Sequence, residues 1–193
     1  MIKGCKYWYE RKTFSIQTNN GVEAILRNWS KRTSGYLETC GPTAAINILD
    51  AMGVPTGVHS PALASIQPED FLTIWMNDPK NHPGLGIPTD TMVNEWAQAY
   101  PNAIKTVFGV PCRFLERQSF EWVSAMVSSG VGVMLCLKDP GHYVAAVAFD
   151  SVAAELIYRD PWPGRTKTDG YNIQMGGKEF DENTKPLCVV FGK

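Results

Sequence analysis

Histidine is scarce in this 193-residue sequence. His59, His82 and His142 are the complete set, and none stands in a His-x-x-x-His or Cys/His cluster. The ligand spacing of a structural zinc site is therefore missing. The cysteines, Cys5, Cys40, Cys112, Cys136 and Cys188, are odd in number and scattered, with no Cys-x-x-Cys pair. That excludes a disulfide framework as the expected scaffold. Basic blocks are lacking too: 18 Lys and Arg stand against 19 Asp and Glu, for a net charge of −1. Nucleic acid and anionic membrane surfaces are poor partners for such a chain, because binding to them rests on neutralising phosphates. No apolar run approaches the roughly 18 residues of a membrane span. The opening "MIKGCKYWYERK" has no apolar stretch of the secretory kind. The expectation is a cytoplasmic protein as encoded, leaving the cell only by lysis or a dedicated carrier. Internal repeats and low-complexity linkers are also absent from the sequence.

What is present is enough apolar residue for one core. Hydrophobic residues make up 44% and charged residues 19%, a globular balance, and the length suits a single domain over residues 1–193. Helical spacing predicts a helix from about Pro42 to Met52, stopped by Gly53. A loop follows, then a helix in "PEDFLTIWMND" with acidic residues in its first turn. A third helix is predicted in "TDTMVNEWAQAY", with Thr89 as N-cap and Pro101 as terminator, and a fourth in "SFEWVSAMVSSG", capped by Ser119. Strands are predicted at 131–138, 142–149, 155–160 and 187–191, with a further one within 106–116, and "YWY" at 7–9 reads as a strand or docking segment. Helices first and an antiparallel meander last make an α+β domain.

The chemistry centres on "ETCGPTAAINILDAMG". Cys40 precedes a helix whose N-terminus carries partial positive charge and unpaired N–H groups. A thiol there ionises more easily, and the amides can hold an oxyanion. Pro42 suits a first helical turn. A buried structural cysteine is the competing reading, since free cysteine is among the most buried residues. A nucleophilic cysteine needs a base, and His142 opens an apolar strand directly after the turn "DPG". His59 and His82, in Pro/Gly-rich loops, read as solvated. A base histidine needs an acceptor for its other ring nitrogen. If 142–149 and 155–160 pair as a hairpin, Asp160 at the end of the second strand comes beside His142. The competing reading of Asp160 is a turn-opening residue before proline.

Cys-Gly-Pro-Thr opening a helix, Gly-His-Tyr-Val opening a strand and "YRDPWPG" in a turn together resemble the papain-like cysteine peptidases, most of all the bacteriocin-processing (double-glycine leader) peptidase-like group. The resemblance covers about residues 14 to 163. It implies a papain-like fold, with the nucleophile at a helix N-terminus packed on a C-terminal antiparallel sheet. It implies Cys40, His142 and Asp160 as nucleophile, base and orienting acid, with no cofactor and a peptide or protein substrate, cell-wall peptides included. A substrate cleft is expected around Tyr36, Gly141 and Trp162; Tyr143 is expected as core. The family also places a glutamine a short way upstream of the cysteine, to complete the oxyanion hole. Ser34 stands there instead, and Gln17 is the first substitute, Asn28 the second. The missing nearby glutamine motivates a second reading, a catalytically inactive papain-like domain that binds a peptide or protein. Transamidation is a minor variant, because the transglutaminase-like enzymes set Cys and His closer together than Cys40 and His142 stand.

Overall fold

The computed structural model describes residues 2–4, 39–56, 68–86, 92–139, 141–161 and 173–192. The framework is an antiparallel sheet: β1 (Ile2–Gly4), β2 (Cys112–Glu116), β3 (Gly132–Leu137), β4 (His142–Asp150), β5 (Glu155–Arg159), β6 (Ile173–Gly176) and β7 (Thr184–Phe191). The strand order is β2-β7-β3-β4-β5-β6, and β1 lies beside the far half of β4. Every residue of β3 is buried, as its unbroken apolar run predicts for a strand covered on both faces. The α-helices among the described residues are α1 (Cys40–Ala51), α2 (Pro68–Met76), α3 (Tyr100–Phe108), α4 (Phe120–Ser128) and α5 (Gly177–Asn183). The pleat sorts alternate side chains into two apolar clusters. Cys136, Tyr143, Ala145 and Val147 pack with α1, α2 and α3, whereas Leu135, Leu137, Val144 and Ala146 pack with α4 and Phe180 of α5.

The helix α1 is buried along its whole length, and its buried polar residues are held by partners: Asn47 Nδ2 donates to Thr43 O at 3.1 Å, and Asp50 lies 3.8 Å from Arg159. Its C-terminus closes in a Schellman arrangement. Val54 N–H donates to Leu49 O and Gly53 N–H to Asp50 O, both at 2.9 Å, and Gly53 takes φ +74°, where glycine alone is unstrained. The helix α4 begins as predicted, with Ser119 Oγ accepting from Trp122 N–H at 3.3 Å.

The region 92–116 departs from expectation. The single helix ending at Pro101 is replaced by two 3₁₀ turns, Val93–Glu95 and Ala97–Ala99, and then by α3, which Pro101 helps to start. Proline fits a first helical turn as well as it ends a helix, because its missing N–H is not needed there. The earlier turns stay short because other partners hold them: Asn77 Oδ1 accepts Val93 N–H at 2.8 Å, and Trp96 is extended. The strand expected within 106–116 is confined to Cys112–Glu116, and Val107 and Phe108 belong to α3. Thr89 lies outside the described residues, as does "YWY" at 7–9.

His82 is a second correction. It is buried, 6% exposed, with Trp75 edge-on to its ring at a centroid distance of 5.3 Å. Burial lowers its pKa below the ordinary 6.5, outweighing the Met76 backbone, which favours the proton. The unfolded chain thus binds this proton more readily than the folded one. Stability is expected to be full above about pH 6.5 and to fall as pH drops below it. Urea unfolding between pH 7.5 and 5 should show that slope in the wild type and a flatter one in His82→Phe.

Candidate active site

Three chain segments meet at one end of the sheet. His142 opens β4 opposite Leu137, which is also opposite Thr184 of β7. Asp160 follows the last residue of β5, whose Arg159 pairs with Ala145. The first turn of α1 reaches the same end through Gly41, Tyr100 and Tyr143. A Cβ on Gly41 would stand 2.0 Å from the Tyr100 hydroxyl, so only glycine admits this approach. That hydroxyl donates to Asn94 O at 2.6 Å, and the Tyr143 hydroxyl donates to Glu95 O at 2.9 Å. The two rings touch at a centroid distance of 6.1 Å. Together they pin the 3₁₀ segment over the start of α1.

Cys40 is the first residue of α1 and is 6% exposed. Thr39 O accepts Thr43 N–H at 3.0 Å, so Cys40 stands at the positive end of the helix dipole. Burial pushes both tyrosine phenols well above their usual range, and the proximity of Cys40 raises them further. Both therefore stay protonated as donors beside the thiol.

His142 and Asp160 form the polar half. His142 Nε2 and Asp160 Oδ1 are 2.5 Å apart, with side chains 0% and 1% exposed. Such a short contact, out of water, is a strong charge-assisted hydrogen bond whenever the ring is protonated. The pleat gives His142 the side of Val144 and gives Tyr143 the side of α1.

Gly141 is exposed in the turn immediately before His142. Tyr36, Trp162, Gln17 and Asn28 lie outside the described residues, and so does His59. Arg159 was not anticipated from the sequence. It is 2% exposed, and its guanidinium crosses to α1, with Nη1 donating to Asn47 O at 3.1 Å and 3.8 Å from Asp50 Oδ2. A charged residue within the apolar run "ELIYRD" was the available signal, because a buried arginine needs a partner. Tyr100 and Asn94 were also missed, and nothing local marks them. A cavity of about 480 Å³ lined by Lys105, Cys112, Arg113 and Gly192 lies at the opposite end of the sheet and is no part of this site. Among the described residues, no three His, Cys, Asp or Glu converge as metal ligands, and no helix is long and apolar enough to cross a membrane.

The chain matches the Peptidase C39 like family over residues 17–183. Among solved structures it is similar to a double glycine motif protease from an AMS/PCAT transporter, solved in complex with the leader peptide. The identity is 14% and the TM-score 0.49, covering 80% of this chain and 84% of that one. A putative C39-like peptidase from Bacillus anthracis matches at 14% identity and TM-score 0.38, over 51% of this chain and 59% of that one. The N-terminal C39-like domain of a toxin secretion ATP-binding protein from Vibrio parahaemolyticus matches at 14% identity and TM-score 0.39, over 61% and 84%. A search of the curated proteins finds no match. With 167 consecutive residues matched, helices packed on an antiparallel sheet and Cys40 opening one of them, the chain belongs to the C39-like peptidases, a papain-like cysteine peptidase family.

Proposed function

We propose that the protein is an active cysteine peptidase in which Cys40 is the nucleophile, His142 the base and Asp160 the residue that orients it. The observation that carries this reading is the buried His142–Asp160 hydrogen bond, at the end of the sheet where α1 begins. With Nε2 committed to the carboxylate, Nδ1 is the nitrogen that exchanges a proton with the thiol. His142 deprotonates Cys40, and the thiolate attacks the carbonyl of a peptide or isopeptide bond. The oxyanion rests on the Cys40 N–H and a side-chain amide, for which Gln17 is the first candidate and Asn28 the second. His142 then protonates the leaving amine, and water resolves the thioester. The substrate is a peptide or protein, cell-wall peptides included, held near Tyr36, Gly141 and Trp162. No cofactor enters these steps.

Thiol reactivity tests the nucleophile. Burial pushes Cys112 and Cys188 up to about 12 and also raises Cys136. A thiol at that level is thiolate on the order of once in 10⁵ at pH 7. Brief treatment with iodoacetamide at pH 7, followed by peptide mapping, should label Cys40 well before those three. Hydrolysis of a general peptide library should vanish in Cys40→Ala. Labelling of Cys40 no faster than its neighbours, together with equal turnover in the variant, would sink the assignment and leave the inactive binding domain.

A further inference from the structure

The strand β7 carries an irregularity beside the site. Its pairing with β3 runs Leu135–Cys188 and then jumps to Leu137–Thr184. Lys185, Pro186 and Leu187 therefore stand opposite the single residue Cys136. Bulges of this kind re-aim side chains and recur next to active sites. Here the bulge turns Lys185 over the Gly141 turn: a Cβ built on Gly141 would lie 3.1 Å from Lys185 Nζ. The ammonium is thus beside the residue that precedes His142. Its field also reaches the Cys136 thiol, in the apolar cluster that holds Cys40.

The other lysines near this end are occupied. Lys138 Nζ donates to Asp181 O and Glu182 O at 2.8 and 2.9 Å, and Lys178 pairs with Glu182 at 3.8 Å. Lys185 is exposed and makes no ion pair with a carboxylate among the described residues. A glycine at 141 leaves that cation open toward anything laid across the turn.

We propose that Lys185 is a specificity residue of this site, its ammonium holding a substrate carboxylate against the Gly141 turn next to His142. The carboxylate is either an acidic side chain or the free C-terminus of a peptide. This rests on the peptidase reading for its turnover but not for its binding. A charge-assisted hydrogen bond is worth on the order of tenfold in affinity or kcat/KM, and salt weakens it at an exposed position.

The test uses matched peptides: Glu against Gln scanned along one sequence, and a free C-terminus against its amide. Each is measured as kcat/KM on the wild type and as fluorescence anisotropy on Cys40→Ala, alone and combined with Lys185→Arg, Lys185→Gln or Lys185→Glu. The expected result is a roughly tenfold preference for one carboxylate-bearing series. It should persist in Lys185→Arg, drop to parity in Lys185→Gln, reverse in Lys185→Glu and shrink in 0.5 M salt. The series that shows the preference tells side chain from terminus. A wild type indifferent to the carboxylate, or a preference untouched in Lys185→Glu, overturns the proposal. Absence of turnover with the anisotropy preference intact overturns the peptidase reading and leaves Lys185 in its role.

Discussion

Cys40→Ala and His142→Ala are each expected to lower kcat on a cleavable peptide by a factor on the order of 10⁵, and the double variant by no more than either alone. In the proposed mechanism nucleophile and base act as one unit, so removing one already removes the proton transfer that makes the other useful. Asp160→Ala should cost less, on the order of 10³ to 10⁴, because the imidazole survives but loses its fixed tautomer. Asp160→Asn is the sharper probe. It keeps the shape of the buried pair at 2.5 Å and removes the charge, so a loss of rate there reports electrostatics rather than packing. His142→Ala also leaves the buried Asp160 without its His142 donor, a penalty of about 1–3 kcal/mol. Rates should therefore be compared well below the midpoint of thermal unfolding. Multiplicative losses in the Cys40→Ala/His142→Ala double variant would show that the two residues do not act on one step.

The parts of the site that were legible in the sequence share one property, local signals. The helix at Cys40 is announced by proline in its first turn and glycine after its last, and the hairpin that unites His142 and Asp160 by turn residues between two apolar runs. Both elements form close to where those signals place them. What the sequence hid depends on side-chain contacts that no propensity or periodicity encodes. Trp75 of α2 covers His82, and Asn77 holds the turn at Val93, so neither the burial of the one nor the short turns at the other can be read locally. Tyr100 looks like the end of one helix and is the start of another, and its hydroxyl sets the close approach to Gly41. The strands β1 and β6 are three and four residues long, too short for a period-2 pattern to rise above the background. The bulge that aims Lys185 belongs to the pairing of two strands, and Pro186 within it, in a strand with neighbours on both sides, was the available signal.

Arg159→Met should be the most destabilising single change that leaves the proposed catalytic groups in place, by about 3 kcal/mol in urea unfolding. Arg159 is 2% exposed and Asp50 8% exposed, so water cannot replace the guanidinium. Methionine fills much of the volume but leaves the Asp50 carboxylate in α1 facing an apolar chain, and the Asn47 carbonyl loses a donor. The cost is a buried carboxylate that has lost its Arg159 partner rather than the lost attraction itself, since a buried pair roughly balances its own desolvation. Adding Asp50→Leu should therefore recover much of the stability lost in Arg159→Met, and a double variant no more stable than the single would refute this account. The two differ in what they do to the site. Arg159 is the bolt between α1, which begins with Cys40, and β5, which ends beside Asp160. In the double variant the stability returns but the polar tie between those elements does not. If the tie sets the geometry, kcat stays below wild type even where the fold is recovered, and KM changes little.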